Sequence, residues 1–257
     1  MEDIFTQLDR EGFAVLPGFF SADLCARLVD RVEALYAAEG DQAGAEFRAE
    51  PGTQRLANVV DKGEIFREVF ANQQILAMVG HILQPRFKLS SLNARSANPN
   101  DGQGHQPLHV DQGLLPDAQG PVVANVVWML DDFTPENGAM RAVPRTHRSG
   151  KRPQEALADA AAPHPDQVLV TGQAGTVCVM NAHLWHGGTA NRTDKARRAL
   201  HSFYCRYDVA QQQYQKRLLQ AETQAAMPAS LRELLALDDP LNDELCSRIT
   251  SQSGFLK

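Results

Sequence analysis

Residues 108–112 read Leu-His-Val-Asp-Gln, and residues 184–188 read Leu-Trp-His-Gly-Gly. Side chains alternate between the two faces of an extended chain, so His109 and Asp111 point the same way and can share a metal ion. The third ligand must come from another strand, and His186 is the candidate. Two histidines and one carboxylate hold a divalent iron on one face and leave the opposite positions open. The two segments therefore predict a metal site.

A candidate anion-binding arginine follows the second histidine. Arg197 lies in a polar turn that runs into an apolar strand, and its guanidinium could bind a carboxylate through two parallel hydrogen bonds. Arg198 is the rival, and neighbours on a strand face opposite sides. Arg197 shares its face with a mainly apolar set that suits a barrel interior: Ala199, His201, Phe203, Cys205 and Tyr207. We therefore choose Arg197.

The middle of the chain has the pattern of a β fold. Short apolar segments separated by turn signals are typical of a sandwich or barrel. Eight such segments are present, at 87–96, 107–111, 122–130, 139–143, 168–170, 176–180, 185–187 and 199–207. They suffice for two four-stranded sheets, and they predict a mainly β fold with a double-stranded β-helix core, which is a jelly-roll of the cupin-like type.

The flanking segments predict helices around this core. Ser21 precedes an apolar stripe of Leu24, Leu28, Val32 and Leu35, and a second helical pattern runs over 64–83. The polar stretch 40–63 suits a mobile loop that closes over a site. We expect a single domain over 1–257, with a helical N-terminal part at about 1–85, the jelly-roll at about 86–208, and a helical tail at about 209–257.

Three motifs in this order resemble the phytanoyl-CoA dioxygenase family of iron(II)- and 2-oxoglutarate-dependent oxygenases. They are His109-Val-Asp111, the segment 137–147 (Asn-Gly-Ala-Met-Arg-Ala-Val-Pro-Arg-Thr-His), and His186-Gly-Gly-Thr-Ala-Asn191 followed by Arg197. The resemblance covers about residues 10 to 208. It implies that His109, Asp111 and His186 bind Fe(II) and are the catalytic centre, and that Arg197 binds the distal carboxylate of 2-oxoglutarate.

The resemblance also implies a reaction. O2 and 2-oxoglutarate are consumed, succinate and CO2 are formed, and a substrate C–H bond is hydroxylated. Relatives that halogenate lack the carboxylate ligand, so Asp111 predicts no halogenation; desaturation, epoxidation and rearrangement use the same ligands. Many members have serine two residues after the second histidine, whereas this chain has Gly188 and then Thr189. Thr189 is therefore the candidate for a hydroxyl contact to the cosubstrate.

Other polar and aromatic residues near the motifs are candidate contacts. For the cosubstrate these are Asn93, with an outward-facing polar strand end as the alternative, and Gln106. Candidate substrate contacts are Arg95, Trp128, Arg141 and Trp185. For Trp128 a core position is the commoner alternative, and for Arg141 the favoured alternative is a solvated basic stretch.

Composition limits the other classes of function. The 257 residues have a formal net charge of −6 with both signs spread along the chain, which favours neither nucleic acid nor an anionic membrane as a partner. Four scattered cysteines predict buried thiols. The start has no signal-peptide pattern, so a cytoplasmic protein acting on a small molecule is expected. The sequence does not specify the oligomeric state.

Two alternative functions use the same residues. A cupin-like enzyme that binds zinc or iron without 2-oxoglutarate would also need two histidines and a carboxylate. A non-catalytic binding protein could have the same fold, because fold alone does not define activity. Arg197 and the order of the motifs favour the oxygenase.

Overall fold

Two antiparallel sheets form the centre of the protein. The computed structural model describes residues 3–45, 52–99, 105–249 and 256. The strands are β1 (Phe13–Leu16), β2 (Thr53–Leu56), β3 (Phe87–Ala97), β4 (Val123–Met129), β5 (Met140–Val143), β6 (Val168–Val170), β7 (Val177–Asn181), β8 (Trp185–Gly188) and β9 (Arg197–Arg206).

The order of the strands is that of a double-stranded β-helix. The major sheet has the order β1-β7-β4-β9-β3-β2, and the minor sheet has the order β6-β5-β8. A backbone bridge between His109 and His186 adds the segment around His109 to the minor sheet. The eight predicted segments thus form two groups of four, and β1 and β2 extend the major sheet at its two edges. The predicted fold class is confirmed.

Helices flank the two sheets, most of them on the outer face of the major sheet. They are α1 (Ile4–Glu11), α2 (Ala22–Glu39), α3 (Arg67–Phe70), α4 (Gln73–Leu83), α5 (Pro153–Ala156), α6 (Gln215–Leu218), α7 (Ala221–Ala225), α8 (Ala229–Leu234) and α9 (Pro240–Arg248). The largest apolar cluster joins α2 and α4 to outward side chains of the sheet, such as Leu92 and Leu200. A second cluster, which includes Val127 and Met140, fills the space between the two sheets. No helix in the described ranges is long and apolar enough to cross a membrane.

The N-terminal helices follow the predicted pattern, with one interruption. The Ser21 hydroxyl accepts a hydrogen bond from the Leu24 N–H at 3.1 Å and caps α2. The predicted helix over 64–83 is broken, because the Asn72 side chain accepts hydrogen bonds from two amides of the next turn and starts α4 there. A capping side chain inside an apolar helical pattern therefore divides one predicted helix into α3 and α4, preceded by a 3₁₀ turn.

The prediction of an irregular loop over 40–63 is wrong for part of that stretch. Residues 53–56 form β2, which pairs antiparallel with the end of β3. Its sequence, Thr-Gln-Arg-Leu, has only one apolar side chain, so its pairing depends on the neighbouring strand and not on an apolar pattern of its own. Residues 46–51, where the loop would close over a site, lie outside the described residues.

The C-terminal segment completes the edge of β3 beyond the end of β2. The Gln213 N–H donates to the Ser90 carbonyl at 2.8 Å, and the Gln212 N–H donates to the Ser90 hydroxyl at 2.8 Å. The pairing of β3 with β9 shifts by one residue between Leu89 and Ser91, which is a β-bulge. Leu89 therefore packs in the outer cluster although Ser91 faces inward, so these two residues do not share the face expected from alternation.

Candidate active site

His109, Asp111 and His186 meet between the two sheets. Their potential ligand atoms all lie within 4.8 Å of one another. Asp111 Oδ1 is 3.5 Å from His186 Nε2 and 3.9 Å from His109 Nε2. Val110 has extended backbone angles and packs in a cluster on the outer face of the minor sheet. The alternation expected for this segment is therefore present, although the segment pairs through a single bridge and not as a regular strand.

Backbone carbonyls fix the orientation of both imidazoles. His109 Nδ1 is 3.0 Å from the Pro107 carbonyl, and His186 Nδ1 is 2.8 Å from the Leu184 carbonyl. A carbonyl only accepts, so each Nδ1 carries a proton and each Nε2 is the ring atom left for a metal. Metal-binding histidines are oriented in this way. The side chain of His186 is 7 % exposed and that of His109 is 34 % exposed, so the site opens on the His109 side.

Asn125 holds the carboxylate. Its Nδ2 donates to Asp111 Oδ2 at 2.9 Å, which leaves Oδ1 toward the histidines. Burial alone would raise the pKa of Asp111, but the neighbouring His186, the hydrogen bonds and His109 together hold it well below its usual range. The pKa of His109 falls to about 4, because burial and the adjacent His186 disfavour its charged form. Asp111 is thus ionised and His109 neutral at neutral pH, as metal ligands must be.

A glycine allows the two ligand segments to approach. A Cβ on Gly187 would lie 2.9 Å from the Gln106 carbonyl and 3.0 Å from the Pro107 carbonyl. A larger residue next to His186 would therefore push away the segment that positions His109. The requirement is one of space, since Gly187 is not in the left-handed region.

Arg197 enters the space between the sheets from β9. It is 7 % exposed, its Nη2 donates to the Gly138 carbonyl at 2.7 Å, and its guanidinium lies 4.0 Å from the centre of the Phe133 ring. Its Nε is buried and has no hydrogen-bond partner. Burial, together with the charge of Arg95, lowers the pKa of Arg197 to about 9. A carboxylate would supply both the missing acceptor and the missing negative charge.

Arg198 points the other way, as parity predicts. Its Nε and Nη2 donate to the two oxygens of Asp131 at 2.8 and 2.7 Å, and its Nη1 donates to Glu33 at 3.0 Å. These carboxylates raise the pKa of Arg198 above its usual value. Of the two neighbouring arginines, Arg198 is thus neutralised by the protein itself, on the outer side.

Asn93 and Arg95 lie on the inner face of β3, next to β9. Asn93 pairs with His201 and Arg95 pairs with Ala199. Asn93 Oδ1 accepts a hydrogen bond from Gln213 Nε2 at 2.6 Å, so the amide group that Asn93 can offer to a ligand is its N–H donor.

His201 also belongs to this site, although it matches none of the motifs. Burial and three arginines lower the pKa of His201 to about 3. Its place on the same face as Arg197 was a usable signal. Asn125, a polar residue within an apolar strand, was another. Gln213 gave no local signal, because it reaches β3 only through the tertiary fold.

Gln106 and Thr189 border the histidine pair, and both side chains bind the backbone. Gln106 Oε1 accepts from the Gly188 N–H at 3.0 Å, and the Gln106 N–H donates to the Gly188 carbonyl. The Thr189 hydroxyl donates to the Ala139 carbonyl at 2.7 Å. Both residues thus stabilise the edges of β8 beside the site.

Three predicted substrate contacts lie away from the site. Trp128 is on the outer face of β4, where it packs against Phe19 and Phe20 and donates to Ser202. Trp128 lies three positions after Asn125 on the same strand, so the two side chains lie on opposite faces of the sheet. The core alternative applies to Trp128.

Trp185 and Arg141 lie on the outer face of the minor sheet. Trp185 precedes His186 and therefore points outward, where its Nε1 donates to the Lys151 carbonyl at 2.8 Å. Arg141 is fully buried and donates to the carbonyls of Gln106 and of residues 160–162. Arg141 is thus neither solvated nor at the site; it holds the loop that precedes β6.

The rival histidines have other roles. His183 Nε2 accepts a hydrogen bond from the Val122 N–H at 3.0 Å, and its Nδ1 donates to the Leu114 carbonyl at 2.9 Å. Both ring nitrogens are therefore engaged. His105 is exposed and contacts the Ala161 carbonyl. All four cysteines are buried and free, as expected.

This arrangement defines the class of non-haem iron(II)- and 2-oxoglutarate-dependent oxygenases. Residues 8–199 match the family model described as phytanoyl-CoA dioxygenase (PhyH). The chain belongs to this family, as its motifs indicated.

Relatives and solved structures agree with this class. The chain is 27 % identical over 251 residues to dioxygenase af480 of Aspergillus fumigatus, covering 92 % of this chain and 77 % of that one. It is 25 % identical to the iron/alpha-ketoglutarate-dependent dioxygenase okaE of Penicillium ochrochloron, covering 73 % and 64 %. HygX from Streptomyces hygroscopicus, solved with nickel and 2-oxoglutarate, has the same fold with a TM-score of 0.63 at 17 % identity, covering 81 % and 88 %.

Proposed function

We propose that His109, Asp111 and His186 bind iron(II), that Arg197 binds the distal carboxylate of 2-oxoglutarate, and that the enzyme hydroxylates an unactivated C–H bond of a small molecule. The observation that supports this most directly is the ligand triad, in which the Nε2 atoms of both histidines face the ionised carboxylate of Asp111. A two-histidine, one-carboxylate set leaves positions open for a cosubstrate and O2.

The donor set fits the metal, and the protein's own residues hold it in place. Asn125 keeps Asp111 turned toward the histidines. Bound iron(II) would supply the activation of O2 that converts 2-oxoglutarate to succinate and CO2 and oxidises the substrate. Arg197 would orient the cosubstrate from the opposite end, with Asn93 as a further donor and Gln106 and Thr189 at the edge of the site. The same ligands allow desaturation, epoxidation or rearrangement.

A small-molecule substrate is supported by what related proteins bind. HygX has been solved with hygromycin B as well as with 2-oxoglutarate. The epimerase SnoN has been solved with Fe³⁺, alpha-ketoglutarate and nogalamycin RO. We extend only the general class, a small organic molecule, to the present protein.

The test is an anaerobic titration of metal-free protein with iron(II) and then 2-oxoglutarate, followed by the weak visible metal-to-ligand charge-transfer band. We expect a band in the native protein and none in His109→Ala. Metal binding is measured separately by its effect on the melting temperature, since a ligand that binds the native state raises it.

The two alternatives give different results in this titration. A zinc or iron enzyme that does not use 2-oxoglutarate would bind metal but give no band. A non-catalytic binding protein that takes up iron(II) and 2-oxoglutarate could give the band but would form no succinate in air. Either result would refute the proposed oxygenase activity and support the corresponding alternative.

We also propose that the chain works as one domain in a reducing compartment such as the cytoplasm. The N-terminal part supplies β1 and β2 to the major sheet, and the C-terminal segment binds β3 through Gln213, so the three parts share one core. Four buried free thiols suit a reducing environment.

A further inference from the structure

Two arginines face each other on the strands beside the proposed cosubstrate site. Arg55 on β2 and Arg95 on β3 are direct partners in the antiparallel register. Their neighbours Leu56 and Ala94 are also partners, and both belong to the outer apolar cluster. By alternation, Arg55 and Arg95 therefore share the inner face of the sheet.

This pair lies next to Arg197 but is separate from it. Ala97 pairs with Arg197, whereas Arg95 pairs with Ala199. The side chains of Arg95 and Arg197 therefore extend from the same face of adjacent strands, at backbone positions that are offset by two residues. The charge of Arg95 lowers the pKa values of both Arg197 and His201, so it acts inside the site.

Placing like charges opposite each other in a sheet is unfavourable. Such a local conflict is expected where a ligand requires it. Both arginines also have interactions within the chain, which a bound anion would share or replace. In the proposed function Arg197 binds the distal carboxylate of 2-oxoglutarate, and the 2-oxo acid end of the cosubstrate would be held at the metal. A further anion would thus come from the other reactant.

We propose that the substrate is an acid, whose carboxylate or phosphate is bound by Arg95 and Arg55 at the β2–β3 end of the site. This inference rests on the proposed function, which it narrows to anionic small molecules. Arginine is suited to the task because its planar group can make paired hydrogen bonds to an oxyanion. The reactive carbon would then be held at a fixed distance from the anionic group.

The test compares an acid with its neutral analogue. The probes are 4-phenylbutyrate and its amide, titrated calorimetrically into anaerobic protein loaded with iron(II) and 2-oxoglutarate. We expect the native protein to bind the acid about tenfold or more tightly, because charge-assisted hydrogen bonds contribute more than neutral ones. That preference should fall to about one in Arg95→Met, be reduced in Arg55→Met, and be partly kept in Arg95→Lys.

The matched control is Arg145→Met. Arg145 is exposed and pairs with Glu11 on the surface, so its loss should leave the preference unchanged. Phenyl phosphate, titrated in the same way, distinguishes a phosphate from a carboxylate as the preferred anion.

Three outcomes would overturn the inference. They are an equal affinity for acid and amide in the native protein, an acid preference that persists in Arg95→Met, and no binding of 4-phenylbutyrate or phenyl phosphate up to about 10 mM. A fourth, loss of 2-oxoglutarate binding in Arg95→Met with the acid preference intact, would assign Arg95 to the cosubstrate. Failure of the native protein to give the charge-transfer band refutes the proposed function instead, so the two failures are distinguishable.

Discussion

Replacing Arg197 by methionine should make the ligand-free protein more stable and should make the binding of 2-oxoglutarate much weaker. Burial lowers the pKa of Arg197 from the usual value of about 12.5 to about 9. A difference of this size corresponds to roughly 5 kcal/mol against the charged form, as an upper value. Methionine removes this cost.

The substitution also removes favourable contacts. The interaction with the Phe133 ring contributes about 1–2 kcal/mol, and the hydrogen bond to the Gly138 carbonyl about 1–2 kcal/mol. The net expectation is a gain of about 1–3 kcal/mol in the free energy of unfolding, measured by urea denaturation without ligands. Loss of a buried partner to a carboxylate costs about 2–5 kcal/mol, so the Kd for 2-oxoglutarate should rise by about 30-fold or more.

Arg198→Met is the matched control on the other face of β9. It removes the pair with Asp131, so the free energy of unfolding should fall by about 1 kcal/mol while the Kd for 2-oxoglutarate stays unchanged. The reasoning is refuted if Arg197→Met destabilises the ligand-free protein by more than about 1 kcal/mol, or if its Kd for 2-oxoglutarate stays within about threefold of the native value.

The remaining predictions concern the residues that support the site. Asn125→Ala should weaken iron(II) binding by about 10–100-fold, because it frees Asp111 to rotate; equal affinity in an anaerobic metal titration would contradict this. Gln213→Leu should lower the free energy of unfolding by about 2–4 kcal/mol and weaken 2-oxoglutarate binding, because it leaves Asn93 and the buried Leu92 N–H without these partners. Urea denaturation measures the first effect and the charge-transfer band measures the second. Unchanged values for both would refute the prediction. The folded-state pKa of His201 is depressed to about 3, so its stabilising contribution is present above about pH 6.5 and is lost as the pH falls toward 3. His201→Gln should reduce the loss of stability between pH 7 and 5 by up to about 1.4 kcal/mol per pH unit, and an unchanged slope in urea denaturation would exclude this role.

The architecture was predictable because its signals are local. Alternation fixed the common direction of His109 and Asp111, and parity on β9 separated Arg197 from Arg198. These inferences need only the period of two in an extended chain. Each concerns residues on the same strand, so no knowledge of distant contacts was needed.

The errors come from features that depend on partners elsewhere in the chain. Trp128 and Trp185 were candidate substrate contacts. Trp128, however, lies three positions from the inward-facing Asn125, and Trp185 lies one position from the inward-facing His186, so both point outward. Parity would have excluded them. By contrast, β2 has almost no apolar pattern, and Arg141 lies in a basic stretch that looks solvated. Their positions follow from pairing with β3 and from backbone carbonyls of a distant loop, which a single sequence does not display.

Residues 211–213 cover an edge of the major sheet, and this affects how the protein avoids aggregation while it folds. Where β2 ends, residues 88–93 of β3 would expose an unpaired strand edge, and such edges promote pairing between molecules. Residues 211–213 cover that edge, and Gln213 also holds Asn93, so the same segment would support both solubility and the proposed contact of Asn93 with the cosubstrate. A nascent or proteolysed chain without it would have the metal ligands but an open sheet. We therefore expect truncation before Gln211 to cause aggregation in light scattering, together with loss of the cosubstrate site.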